Sequence, residues 1–220
     1  MDTISRDPQL LGEDHPFGHP VQIWAAHAPL PRHERFTAHA SELAEDERAQ
    51  LAHIVTGAAR AQFVTGRALA RQVLARELRT PTSQIRFAVS ETGRPSLAEP
   101  PCPGLDFNLS HAGRLTLLAV TRGSRVGIDI EQTDVERDFE GVAAGFFSPA
   151  EYEQWSTADT ADRTALWYRI WTRREAYVKA TGHGLRDIGD DHPGRGSAWI
   201  DIALEPAPGH VGCVVLLNHP

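Results

Sequence analysis

Across residues 125–131 the chain alternates without a break: Val126, Ile128 and Ile130 are apolar, while Gly127, Asp129 and Glu131 stand between them. Successive side chains of a strand point to opposite faces, so this segment reads as a β-strand with three aliphatic residues on a core. The other face carries two carboxylates and a glycine with no side chain. Any fold for this chain must bury one side of the strand and hold two acids together on the other.

Further strands are predicted over 21–26, 84–89, 106–111, 115–120, 197–204 and 211–217, the last two joined as a hairpin across 206–209. Three helices stand out. One runs over 41–54 with Ser41 as its cap, and a second over 58–79 ends before Pro81, because the residue preceding a proline leaves the helical region. The third runs from about residue 159 or 160 to Thr181 and stops at Gly182. Ser148-Pro149-Ala150-Glu151 is a further helix start, with a serine cap, proline at the first helical position and glutamate three residues on. Residues 1–20 mix Asp, Glu, Pro, Gly and His without periodicity and are expected to form a mobile extension. Strand, helix, then strands recurs on both sides of about residue 125. The expected fold is therefore α+β, sandwich-like, with two similar halves over 21–125 and 126–220.

A chain of 220 residues can bury a full core. No apolar stretch is long enough for a bilayer and no secretory signal is visible, so a soluble, cytoplasmic protein without a membrane partner is expected. Two isolated cysteines, Cys102 and Cys213, suit a reducing compartment. The net charge of −7 argues against a nucleic-acid partner. Any polyanion must meet a local basic patch, and Arg60, Arg67 and Arg71 recur at helical spacing as one candidate.

Of the 22 basic residues one is lysine, Lys179, four residues after Glu175 on the third helix. That spacing puts both on one face. A lone acid-x-acid pair usually marks a solvated edge. Here the glycine beside it and the helical Glu-Lys pair favour a site for a hard divalent cation, with Asp129, Glu131 and Glu175 as oxygen ligands. Mg2+ is the expected ion, with Mn2+ open. Lys179 would then neutralise phosphate charge, and Ser110 with His111 would donate hydrogen bonds to phosphate. These parts describe phosphoryl or pyrophosphate chemistry. The glycine-rich run 192–197 lacks the spacing of a P-loop, and Asp187, Asp190 and Asp191 do not match a calcium loop.

The runs 126–131, 146–151 and 171–185 resemble the signature motifs of 4′-phosphopantetheinyl transferases, and 107–111 with Gly93-Arg94-Pro95 resembles the upstream motifs of the Sfp-type branch. The resemblance implies a pseudo-dimer of two α/β halves with coenzyme A in the cleft between them. It implies transfer of the phosphopantetheine arm to a serine of an apo acyl, peptidyl or aryl carrier protein, releasing adenosine 3′,5′-bisphosphate. Glu175, Lys179 and Asp129 would be catalytic. Asp129, Glu131 and Glu175 would hold the metal, and Ser110, His111 and Lys179 would meet the phosphates. Gly93, Arg94 and Pro95 would lie against the adenine end, and Arg48, Arg60 or Arg67 would meet the 3′-phosphate. Lysine is common in the family where this chain has Arg94 and Arg174. The expected setting is secondary metabolism, siderophore, polyketide or nonribosomal peptide synthesis, and the expected state a monomer. Two other readings are a metal-dependent pyrophosphohydrolase acting on coenzyme A and a non-catalytic coenzyme A- or carrier-binding module.

Overall fold

A computed structural model describes residues 8–14, 16–18, 20–29, 34–133, 136–182 and 199–218. The expected extension is partly a strand: Gln9–Asp14 (β1) pairs antiparallel with Val21–His27 (β2). Its pattern is weak because β1 is an edge strand that exposes most of its side chains, so no alternation is imposed on it. The element expected over 41–54 is two helices, Glu34–Ser41 (α1) and Glu45–His53 (α2). Ser41 closes the first: its Oγ donates back to Ala38 O at 2.6 Å, and the Glu47 carboxylate accepts from Ala44 N at 2.8 Å instead. Gly57–Leu78 (α3) follows, capped by Thr56 and ended by Arg79 in the left-handed region, φ 51°.

Arg86–Val89 (β3) and Pro95–Glu99 (β4) make a small hairpin, with Pro95 at the first position of its strand, where no ladder donor is needed. Leu105–Ala112 (β5) and Leu115–Arg122 (β6) complete a four-stranded antiparallel sheet in the order β1-β2-β6-β5. Ser124–Gln132 (β7) is the alternating strand. After it come Phe139–Phe146 (α4), not anticipated from the pattern, Pro149–Ser156 (α5) and Thr160–Thr181 (α6). Trp199–Leu204 (β8) and His210–Asn218 (β9) close the second sheet, order β7-β9-β8. The runs 183–185 and 192–197 and the acids at 187, 190 and 191 lie outside the described residues. Among the described residues no helix is long and apolar enough to cross a membrane.

The two sheets meet face to face. Val21, Ile23 and Ala25 of β2 and Leu115, Leu117 and Ala119 of β6 pack against Val126, Ile128 and Ile130 of β7 and Val214 and Leu216 of β9. Helix α3 covers the opposite face of the first sheet through Leu69, Val73 and Leu74 against Phe107, Leu118 and Val120. Helix α6 lies on the second sheet, with Ala176, Tyr177 and Ala180 against Cys213 and Val215. The order is helix, sheet, sheet, helix, so the α+β sandwich of two similar units follows from burying both faces of each sheet.

At the junction, edge strand β5 meets edge strand β7 through side chains. Asp106 Oδ2 accepts from Val126 N at 2.9 Å and Asn108 Oδ1 from Ile128 N at 3.0 Å. Two steps further, Ser110 Oγ donates to Asp129 Oδ1 at 3.0 Å. Residues 106, 108 and 110 share one side of β5, and unpaired edge donors of β7 are satisfied without a continuous ladder.

Candidate functional site

Asp129 stands at the centre of the junction. Although β7 is an edge strand, Asp129 is only 5% exposed, so its carboxylate is an interior group and not part of a solvated rim. Its Oδ1 accepts from Lys179 Nζ at 2.6 Å, and Lys179 Nζ also donates to Ser110 Oγ at 3.0 Å. One ammonium therefore joins α6, β7 and β5. Asp129 Oδ2 is buried with no hydrogen-bond partner.

Gly127 is what lets α6 come this close. A Cβ there would overlap the carbonyl oxygen of Ala176 and lie 2.5 Å from Ala180 N. Glycine here is needed for close backbone approach, with the small Ala176 and Ala180 opposite it. Glu175 follows from the same register. Burial, and then the nearby Asp129 carboxylate, push its carboxyl above the ordinary range, with Glu131 adding to the shift and Lys179 opposing it.

Glu131 points from the same strand face, but both its oxygens are engaged. Oε1 accepts from Trp171 Nε1 at 2.9 Å, and Oε2 accepts from the Arg137 guanidinium. Burial, followed by Asp129, raises its pKa against the pull of those two donors. Trp171 is itself fixed by stacking on Trp167, centroids 5.6 Å apart, within the aromatic cluster of α4, α5 and α6.

Glu151, visible in the sequence only as part of a helix cap, does more than cap. It accepts from Ser148 N at 2.9 Å, from Arg174 Nε at 2.7 Å and from Arg173 Nη2 at 2.9 Å. The two cations immediately before Glu175 are thereby anchored to α5, and the glutamate lies near the Asp129, Glu131 and Lys179 charges.

Arg94 bridges the two units. Its guanidinium donates to Asp106 Oδ2 at 2.8 Å, to Val126 O at 2.9 Å, to Phe107 O at 3.3 Å and to the carbonyl of Lys179. Burial holds its pKa below the ordinary value, with Asp106 opposing. Beside it Thr92, Gly93, Arg94, Pro95, Asn108, Leu109, Val178, Lys179 and Gly182 line a cavity of about 370 Å³. His111 lies next to Ser110 with much of its surface exposed. Desolvation of the ring, then the Lys179 ammonium, lower its pKa.

The arginines of α3, a candidate basic patch by their spacing, are engaged by partners within the protein. Arg71 is 2% exposed and pairs with Glu47 at 2.5 Å, while Arg60 Nη1 donates to Leu51 O at 2.6 Å at the end of α2. Arg67 is 7% exposed, 3.6 Å from the same Glu47, with its guanidinium over the rings of Phe63 and Phe87. Arg48 donates to Leu43 O at 2.7 Å. None of these partners belongs to the Asp129 cluster. The physical reason is Glu47, itself 2% exposed, whose buried charge draws cations inward.

The structure thus brings together Asp129, Lys179, Ser110, Glu175 and Glu131, with His111 and the Gly93-Arg94-Pro95 turn beside them. Trp171, Arg137, Glu151, Asp106 and Asn108 were missed. Trp171 precedes Glu175 by four residues, and Asp106, Asn108 and Ser110 alternate along a strand, so those two signals were present. The buried, unpartnered Asp129 Oδ2 and two further carboxylates with raised pKa values form an all-oxygen, electron-rich recess of the kind a hard divalent cation takes. Among the described residues no three acidic, histidine or cysteine side chains form a ready cage.

A family model described as 4'-phosphopantetheinyl transferase superfamily matches residues 125–212, and one described as 4'-phosphopantetheinyl transferase, N-terminal, matches residues 28–123. The chain is 34% identical over 168 residues to the 4'-phosphopantetheinyl transferase HetI of Nostoc sp., covering 76% of this chain and 67% of that protein. It is 32% identical over 151 residues to the 4'-phosphopantetheinyl transferase Sfp of Bacillus subtilis, covering 68% and 65%. It is also 32% identical over 137 residues to the L-aminoadipate-semialdehyde dehydrogenase-phosphopantetheinyl transferase of Rattus norvegicus, covering 56% and 42%. The matched region spans about two thirds of the bacterial relatives and less of the rat protein.

Proposed function

The chain belongs to the 4′-phosphopantetheinyl transferase superfamily, and on that premise we propose that it transfers the phosphopantetheine arm of coenzyme A to a serine of an apo carrier protein. The observation that carries this reading is the Asp129–Lys179–Ser110 cluster at the junction of the two sheets, with Glu175 close enough to feel the Asp129 and Lys179 charges and the Gly93-Arg94-Pro95 cavity alongside.

In this reading the carrier serine Oγ attacks the phosphorus bearing the pantetheine arm. The bond from that phosphorus to the bridging pyrophosphate oxygen breaks, and adenosine 3′,5′-bisphosphate leaves with that oxygen. Glu175 takes the serine proton, directly or through a water, and its raised pKa makes it a stronger base than an ordinary carboxylate. Lys179, freed in part from Asp129, neutralises pyrophosphate charge. Ser110 and His111 donate to phosphate oxygens, and the cavity beside Gly93, Arg94 and Pro95 takes the adenine end. Asp129, Glu131 and Glu175 would hold Mg2+, with Mn2+ as a substitute, and the ion would supply charge neutralisation on the pyrophosphate. The protein acts in this scheme as a cytoplasmic monomer serving carrier proteins of secondary metabolism.

Incubation with coenzyme A, with and without an apo carrier protein, followed by mass spectrometry tests the proposal. The expected result is a phosphopantetheine mass shift on the carrier with matching bisphosphate release. Bisphosphate release in the absence of carrier would instead make the protein a pyrophosphohydrolase.

A further inference from the structure

The three carboxylates of the junction are not free oxygens awaiting a cation; two of them lean on cations of the chain itself. Asp129 Oδ1 is met by Lys179 at 2.6 Å, and Glu131 Oε2 by Arg137. Lys179 has a role toward phosphate in the proposed reaction. Arg137 has none, and its position is specific. It comes from the segment between β7 and α4, and its guanidinium lies 5.9 Å from the Trp167 ring centroid and 5.7 Å from that of Tyr168. Its Nε is buried with no partner. The aromatic rings hold the cation by its face while one edge engages Glu131, and Trp171 holds the other oxygen of the same carboxylate.

We infer that Arg137 is a positioning residue that competes with the divalent cation for Glu131, and so sets the affinity of the site for metal. The inference rests on the reading that Asp129, Glu131 and Glu175 hold the cation. With Arg137 in place, Glu131 is ion-paired and both its oxygens are engaged by donors of the chain itself. Among the described residues no three carboxylates form a ready cage. Recruiting Glu131 requires the guanidinium to leave it, and the unpartnered Nε beside two aromatic faces shows that the carboxylate contact is the main polar anchor holding Arg137 there. A guanidinium on Glu131 would oppose metal entry through repulsion as well as through competition for the ligand.

The test is equilibrium binding of metal alone to the full chain without coenzyme A. Mn2+ is followed by the loss of its free electron paramagnetic resonance signal, and Mg2+ by titration calorimetry. Arg137→Gln is expected to bind both ions about tenfold more tightly than wild type, with Arg137→Lys falling between them. Arg137→Met keeps the hydrocarbon stem over Trp167 and Tyr168 and should show the same gain, so a packing defect in one variant does not decide the result. A damaged site loses affinity, which separates competition from a merely structural role. Wild-type binding that is unchanged or weakened in both Arg137→Gln and Arg137→Met, with wild-type circular dichroism, would overturn the competition but leave the metal reading standing. Absence of binding by wild type and variants alike would overturn both.

Discussion

Lys179 Nζ lies 2.6 Å from Asp129 Oδ1 and 3.0 Å from Ser110 Oγ, so a single ammonium ties a helix to edge strands of both sheets. The contact uses a compact charge at the end of a flexible stem, in a recess where Asp129 is only 5% exposed. A planar guanidinium is broader, and its fixed fork would not reproduce this point contact unchanged.

Lys179→Arg should therefore lower kcat for transfer by at least about tenfold despite keeping the charge. Initial rates of carrier modification, with a thermal melt to establish folding, check this. A wild-type rate would show that charge alone matters at this position.

Glu175→Gln removes the proposed base, and with it one charged oxygen of the proposed cation site, with little change in the shape of the side chain. The rate should fall by about 10² to 10⁴. Coenzyme A binding, measured by calorimetry in the absence of carrier, should fall much less, because the phosphate-contacting groups remain. Comparable losses in both would argue that Glu175 serves binding and not proton removal.

Gly127→Ala places a methyl into the backbone of α6 at Ala176 and Ala180, neither of which can shift independently of the helix. Destabilisation of at least about 2 kcal/mol is expected, read from denaturant midpoints at constant m. Because the clash sits one turn from Lys179, residual activity at a temperature where the variant is folded should fall as well.

Arg94→Lys replaces a fork that meets Asp106, Phe107, Val126 and Lys179 with one ammonium. A loss of about 1 to 3 kcal/mol is expected, since partners left behind are partly buried. Urea unfolding of the variant beside wild type measures it, and an unchanged midpoint would remove Arg94 as a link between the sheets.

Cys213 is 3% exposed, and burial pushes its thiol up to about 12. At pH 8 only about one molecule in ten thousand carries the thiolate that reacts with alkylating agents. Mass spectrometry after native treatment with iodoacetamide should find a single adduct, on the partly exposed Cys102. Two adducts are expected only after denaturation.

Much of the fold could be read from local patterns. The alternation over 125–131 assigned Val126, Ile128 and Ile130 to the core, and they pack there. The Ser148-Pro149-Ala150-Glu151 start and the Gly182 stop matched the observed caps of α5 and α6. Where a segment's neighbours along the chain did not impose a period, reading failed: β1 is an exposed edge strand, and α1 and α2 are short helices whose boundary rests on Glu47. The burial of the α3 arginines was not legible for a different reason. Helical spacing shows which side chains share a face, but not whether that face meets solvent or a buried glutamate.

By itself, then, the sequence determined which residues alternate, where helices begin and end, and which acids and which lysine share an element, because these depend on backbone geometry over a few residues. Tertiary structure alone decided how those groups are paired. Lys179 finds Asp129 across 50 residues and Arg94 finds the Lys179 carbonyl across 85. Such contacts depend on how closely α6 can approach β7, and that approach is permitted by Gly127 facing the backbone of Ala176. The energies of these pairs depend on burial, which no local pattern records.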